Sequence, residues 1–266
     1  MEIAGAGGEV SSYDRNKALK AFDETKAGVK GLVDAGIEKI PRIFVRTLDE
    51  LAEDLPFKIE EDKNIDIPLI DLQGISTDQR RKKMIDEVRL ASETWGFFQL
   101  VNHGIPLSVT NEMIQGVRRF HEEDVELKKQ LYSKDLSRKV QFDSNFDLYR
   151  SRSANWRDTL RCLFLTHDPI NPEELPDTCR DIIVDYRKHI MNLGDTLTEL
   201  FSEALGLNKD HLKDMDFSQW CTLNCHNYTA CPEPELTLGT TQHSDPSFFT
   251  NLLQDCFGGL QILNQN

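Results

Sequence analysis

Apolar residues along the chain follow two rhythms, one helical over most of its length and one strand-like near its end. Between residues 13 and 36, Leu19, Phe22, Val29, Leu32 and Val33 fall three, four or seven apart, the spacing of one helical face. Gly28 and Gly31 weaken that helix, so it is expected to dock on the body of the protein. Residues 48–64 are polar with scattered acids and predict a connector. IDIPLIDL, residues 65–72, alternates around Pro68 and predicts a short strand whose proline confines it to a start or an edge. DQRRKKMIDEVRLASETW follows, with Asp78 as N-cap and Met84, Ile85, Val88, Ala91 and Trp95 on one stripe. Gly96 ends this helix, and FFQLVNHGIP predicts a buried strand running into a turn at Gly104-Ile105-Pro106. The longest helical pattern lies in residues 177–207, where Ile182, Ile183, Tyr186, Ile190, Leu193, Leu197, Leu200, Phe201 and Ala204 keep their spacing up to Gly206. After Trp220 the pattern becomes strand-like, with turns at Cys231-Pro232-Glu233-Pro234, Asp245-Pro246 and Gly258-Gly259. The class expected is α+β, a helical front followed by a β unit.

Composition narrows the function. At 266 residues the chain can bury a sizeable core, and its net charge of −14 argues against the clustered Lys and Arg that nucleic acid requires. A small-molecule substrate is the expectation, with neither nucleic acid nor membrane as partner. The opening MEIAGAGGEV has no basic start or apolar run, and Glu2 stands where N-myristoylation needs a glycine. The six cysteines suit reduced thiols, so the cytoplasm is the expected location.

The chemistry centres on QHSDP. On a strand, His243 and Asp245 would project from one face and present an imidazole nitrogen and a carboxylate oxygen to one ion. Completed by a distant histidine, such a pair forms the facial triad of non-haem Fe(II) oxygenases. In a chain of this composition a His-x-Asp pair arises roughly once by chance, so spacing alone does not decide the matter. His121-Glu122-Glu123 has a similar pattern on a charged helix and is expected to be a solvated face. CTLNCHNYTAC, with Cys221, Cys225, His226 and Cys231, leaves zinc as an alternative, although a structural site would need a second distant pair.

Context singles out QHSDP. WGFFQLVNHGIP, NYTACPEPELTLG, QHSDP and LLQDCFGGLQIL, in that order, resemble the plant 2-oxoglutarate- and Fe(II)-dependent dioxygenases of the isopenicillin N synthase-like family. DRNKALKAFDETKAGVKGLVDAGIEKIPRIF and ACPEPELTLGTT look like the 1-aminocyclopropane-1-carboxylate oxidase homologue subgroup. The resemblance implies a helical N-terminal region followed by a double-stranded β-helix, or jelly roll, of which these residues hold the first part. It divides the chain into residues 1–64 (helix and connector), 65–210 (mostly helical dioxygenase N-terminal region) and 211–266 (start of the jelly roll).

By the same resemblance His243 and Asp245 are iron ligands, Tyr228 helps hold 2-oxoglutarate, and His103 is structural. Asn227 and Thr229 depart from the family pattern around that tyrosine, and Asn251 interrupts an otherwise apolar strand. The implied reaction is hydroxylation, demethylation or desaturation of a small plant metabolite, with Fe(II), 2-oxoglutarate as co-substrate and ascorbate as reductant. The family's distal histidine and its Arg-x-Ser clamp have no counterpart in Pro246–Asn266, which contains neither histidine nor arginine. These residues alone are therefore expected to be inactive and marginally stable toward the C-terminus. The alternative is a non-catalytic interaction or regulatory form that self-associates through unpaired strands.

Overall fold

The computed structural model describes residues 13–53, 67–215 and 220–262. The start of the chain, most of the expected connector, the first residues of the 65–72 strand and the last four residues lie outside these. Helices α1 (Arg15–Thr25), α2 (Gly28–Asp34) and α3 (Leu48–Glu53) come first. Strand β1 (Leu69–Asp71), helix α4 (Asp78–Thr94) and strand β2 (Gln99–Val101) form a parallel crossover unit. Helices α5 (Leu107–Glu122) and α6 (Val125–Leu131) lead to strands β3 (Val140–Asp143) and β4 (Asp158–Leu165). Helices α7 (Arg180–Ala204) and α8 (His211–Asp214) precede strand β5 (Trp220–Asn227). Strands β3, β4 and β5 form an antiparallel sheet in that order, so the α+β class holds.

The first helical pattern is two helices. Asp14 caps α1 by accepting from the Lys17 N–H, and Lys26 ends it in the left-handed region at φ 53°. Gly28, at φ +69°, then opens α2. The Val29 and Lys30 N–H groups each donate to the Asp158 carboxylate at 2.8 Å, so a residue at the start of β4 caps a helix far away in sequence. A Cβ on Gly28 would lie 2.5 Å from Asp158 Oδ1, which explains why the helix tolerates a glycine there. Leu19, Phe22 and Val29 join Ile40, Ile43, Phe44, Leu148 and Trp156 in one core.

Other expectations shift by small amounts. The N-cap of α4 is Thr77, not Asp78, and the Thr77 hydroxyl donates to Gly74 O instead of capping; Asp78 sits in the first turn beside the positive helix end. The stripe Met84, Val88 and Ala91 is buried against Leu193, Leu197 and Leu200 of α7. Arg81 bridges Glu199 and Glu203 across that contact. Strand β2 is not buried: Gln99 and Val101 are exposed and only Leu100 is half-buried, because a two-stranded sheet covered on one side hides one face. The end of α7 is as expected, with Gly206 at φ +76° and the Leu207 N–H reaching Ser202 O.

The reading of His121 is overturned. Its ring is buried beside Phe120 and Phe142, with Nε2 3.2 Å from Cys225 O, while Glu122 is exposed and Glu123 half-buried. The acidic neighbours suggested a solvated face, but His121 lies on the inner face of α5 with Met113 and Phe120. Desolvation pushes its pKa down to about 4, so it is neutral at physiological pH. Asp158 is pushed up, to about 6, also by desolvation.

Gly28→Ala should destabilise the chain by about 1–3 kcal/mol in urea unfolding, through the positive φ and the approach to Asp158. Because the folded pKa of Asp158 lies above the unfolded value of 3.8, its linked stability is present in acid and lost as pH rises through about 6. Asp158→Asn removes that gain, so its destabilisation should be larger at pH 4.5 than at pH 7, by about 1–2 kcal/mol. A pH-independent difference would show that Asp158 is not perturbed.

Candidate metal centre

Beyond Asn227 no strand occurs among the described residues, and residues 228–262 run as turns, one 3-10 turn (Pro234–Leu236) and extended coil. The coil is fastened to the loop before β4 and to the helical front. The Trp156 indole donates to Thr229 O, the Trp156 N–H to Leu238 O and the Arg46 N–H to Leu236 O. The Glu233 carboxylate accepts from the Ile40 N–H. Farther on, Phe248 and Phe249 pack on Phe201 of α7. These attachments bracket residues 241–247.

Within that bracket His243 and Asp245 come together, with His243 Nε2 3.4 Å from Asp245 Oδ1 and both side chains about half exposed. His243 Nδ1 lies 2.9 Å from Thr241 O. A carbonyl only accepts, so Nδ1 carries a proton, and Nε2 is the nitrogen on the carboxylate side. One imidazole nitrogen and one carboxylate oxygen converging in solvent suit a first-row divalent cation. Strand alternation does not bring them together, since the segment is coil with a bend at Gln242.

Tyr228 is exposed, with its ring against Gly239, where a Cβ would approach Cδ1 to 2.6 Å. Its neighbour His226 hydrogen-bonds through Nδ1 to Thr159 Oγ1 at 2.9 Å. Desolvation and then the charge of Arg157 push the His226 pKa below its ordinary range. Asn227 Nδ2 is buried without a hydrogen-bond partner, whereas Thr229 is occupied by the Trp156 indole. Asn251 lies half-buried in coil, so it interrupts no strand. His103 is local, its Nδ1 accepting from the Ile105 N–H at 3.2 Å.

The zinc alternative finds no support. Among the described residues no group of three or more His, Cys, Asp or Glu side chains could hold a metal. Cys162, Cys179 and Cys225 are buried in the core under the sheet. Desolvation pushes the Cys179 thiol up to about 12 and the Cys162 and Cys225 thiols upward as well. Sequence reasoning missed Arg157, which is almost fully buried and donates from Nη1 to Thr240 Oγ1 at 3.0 Å. The signal was a charged residue between Trp156 and Asp158, both of which the fold buries.

Several known proteins resemble this chain in sequence or in fold. Residues 67–178 match the family described as non-haem dioxygenase in morphine synthesis N-terminal, and residues 218–266 match the 2OG-Fe(II) oxygenase superfamily. The chain is 51% identical over 257 residues to 1-aminocyclopropane-1-carboxylate oxidase homolog 1 of Arabidopsis thaliana, covering 96% of this chain and 69% of the relative. It is also 51% identical over 260 residues to the homologue of Solanum lycopersicum, with the same coverage. Among solved structures, the crystal structure of JOX2 in complex with 2OG, Fe and JA superposes with TM-score 0.67 at 24% identity. That superposition covers 82% of this chain and 61% of JOX2, and shows a common fold. No described helix is long and apolar enough to cross a membrane.

Thiol labelling checks the cysteine assignment. In the native protein Cys256, which is exposed, should alkylate with iodoacetamide first. Cys162, Cys179 and Cys225 should alkylate only after denaturation, as read by peptide mass spectrometry. Rapid native labelling of these three would contradict the burial described.

Proposed function

The chain belongs to the plant 2-oxoglutarate- and Fe(II)-dependent dioxygenases, a family of non-haem oxidoreductases, in the 1-aminocyclopropane-1-carboxylate oxidase homologue group, and we propose that His243 and Asp245 are its iron ligands. The supporting observation is the pair itself: Nε2 aimed at the Asp245 carboxylate, with Nδ1 held by Thr241 O. That second contact fixes the tautomer and the ring, as the outer partners of metal-bound histidines do. When bound with 2-oxoglutarate and O2, Fe(II) supplies the oxidising power for hydroxylation, demethylation or desaturation. The chain's own residues orient the reactants. Tyr228 contributes a hydroxyl at the 2-oxoglutarate side, and Gly239 leaves room for its ring. The substrate is a small plant metabolite, ascorbate serves as reductant, and unpaired thiols suit the cytoplasm.

Two ligands leave the facial triad one short. Since Pro246–Asn266 offers neither histidine nor arginine, a polypeptide of these 266 residues alone holds iron weakly and does not turn over 2-oxoglutarate. A second reading, a non-catalytic form that self-associates, draws on the exposed Phe248, Leu252, Phe257 and Leu260.

Mn(II) titrated in an electron paramagnetic resonance experiment tests the ligands. Binding should be measurable and weak, and His243→Ala and Asp245→Ala should each reduce it about tenfold or more. Unchanged binding in both variants would sink the assignment. With Fe(II), 2-oxoglutarate and ascorbate, the 266-residue polypeptide should release no succinate. Turnover abolished by His243→Ala would overturn the inactivity and keep the site.

A further inference from the structure

Residues 241–247 carry the proposed ligands and are exposed throughout. Burial stops at Thr240, half-buried where its hydroxyl accepts from Arg157, and resumes at Phe249. Between these points the described side-chain hydrogen bonds are local: His243 Nδ1 to Thr241 O at 2.9 Å, and Ser247 Oγ to Thr250 Oγ1 at 3.0 Å. The segment is therefore a bridge held at its ends, and whatever holds the ends also places the ligands.

The two ligands belong to different ends. His243 is tied through its ring to Thr241, next to Thr240. Asp245 belongs to the other end, because only Pro246, Ser247 and Phe248 separate it from Phe249. Pro246 has its own φ fixed and disfavours a helical conformation at Asp245. The contact between Ser247 and Thr250 then closes a bend over residues 247–248. A short, stiffened arm thus connects the carboxylate to the Phe249 ring.

That ring is seated on α7. Its centroid lies 5.6 Å from that of Phe201 and 5.8 Å from that of Phe248, and it packs against the core that α4 and α7 share. Beside the ring α7 carries Gly194, where a Cβ would meet Phe249 Cζ at 4.0 Å. Gly194 lies inside the helix and has no positive φ, so its backbone does not call for a glycine. An alanine fits at ordinary contact distance, whereas a longer side chain would enter the space of the ring. We propose that Phe249 is a positioning residue of the metal centre: seated against Gly194 and Phe201, it sets where the Asp245 carboxylate meets His243 Nε2. The inference rests on the reading of His243 and Asp245 as ligands. Its physical basis is that a ligand ordered before binding loses less freedom when the metal arrives.

Mn(II) titration by electron paramagnetic resonance, with urea unfolding of the same samples, tests it. Phe249→Ala should weaken Mn(II) binding several-fold, and Phe249→Leu, which refills the seat, should recover most of the affinity. Gly194→Leu should weaken binding to a similar extent although leucine favours the helix, and Gly194→Ala should leave it unchanged. Loss of affinity in a strengthened helix separates positioning from general destabilisation. Leu32→Ala, in the core of α1 and α2, is the control: it should lower the urea midpoint and leave Mn(II) binding as it was. In the metal-free chain, endoproteinase Asp-N should cut before Asp245 several-fold faster in Phe249→Ala and in Gly194→Leu. Unchanged Mn(II) affinity in both variants, unchanged cleavage in both, or an equal loss of affinity in Leu32→Ala would overturn the proposal. A failure of the ligand reading appears instead as undiminished Mn(II) binding in His243→Ala, while the cleavage rates read the Phe249 seat without metal.

Discussion

Asp158 is a carboxylate taken out of water where three parts of the molecule meet. It begins β4, caps α2 through two backbone N–H groups, and lies within electrostatic reach of the buried Lys128. Placing an ion there costs several kcal/mol unless its lone pairs are satisfied, so the surroundings are constrained. Gly28 must lack a side chain, α2 must start at that point, and the loop before β4 must enter at the angle that puts Trp156 into the first core. The same loop then holds the coil of residues 229–240, which leads directly into His243 and Asp245.

The helical and β parts solve the problem of burying polar groups differently. Around α5 and α6, single buried groups are paired with backbone: Lys128 Nζ donates to His121 O at 2.5 Å, and His121 meets Cys225 O. On the outer face of the sheet the polar groups are gathered together and only partly satisfied, as the open atoms of Arg157 and Gln141 show. Native interiors leave few buried polar atoms without a partner. Such atoms lie on both sides of the sheet, since His121 Nδ1 is also buried without a partner.

Much of the architecture was legible. Periodicity located α4, α5's neighbour β2 and the full length of α7, because a helix docked on one side repeats its burial every three to four residues whatever it docks against. The boundaries that failed were those set from a distance. The break between α1 and α2 follows from Lys26 turning into the left-handed region and the Val29 and Lys30 N–H groups meeting a β4 carboxylate, and the burial of His121 follows from β5 lying over α5. Nothing near those residues in the chain announces either partner.

The pair His243 and Asp245 divides in the same way. Residue identity and order are properties of the chain, and they sufficed to set His243 and Asp245 two apart among motifs of one dioxygenase family. Folding was needed to show that the two meet in coil, with Nδ1 of His243 on Thr241 O and Nε2 on the carboxylate side, and not through a strand. Folding also brought Arg157, far upstream in the chain, beside Thr240. Charge and hydrogen-bond satisfaction are settled by neighbours in space, and long-range pairing across β4 and β5 creates those neighbours.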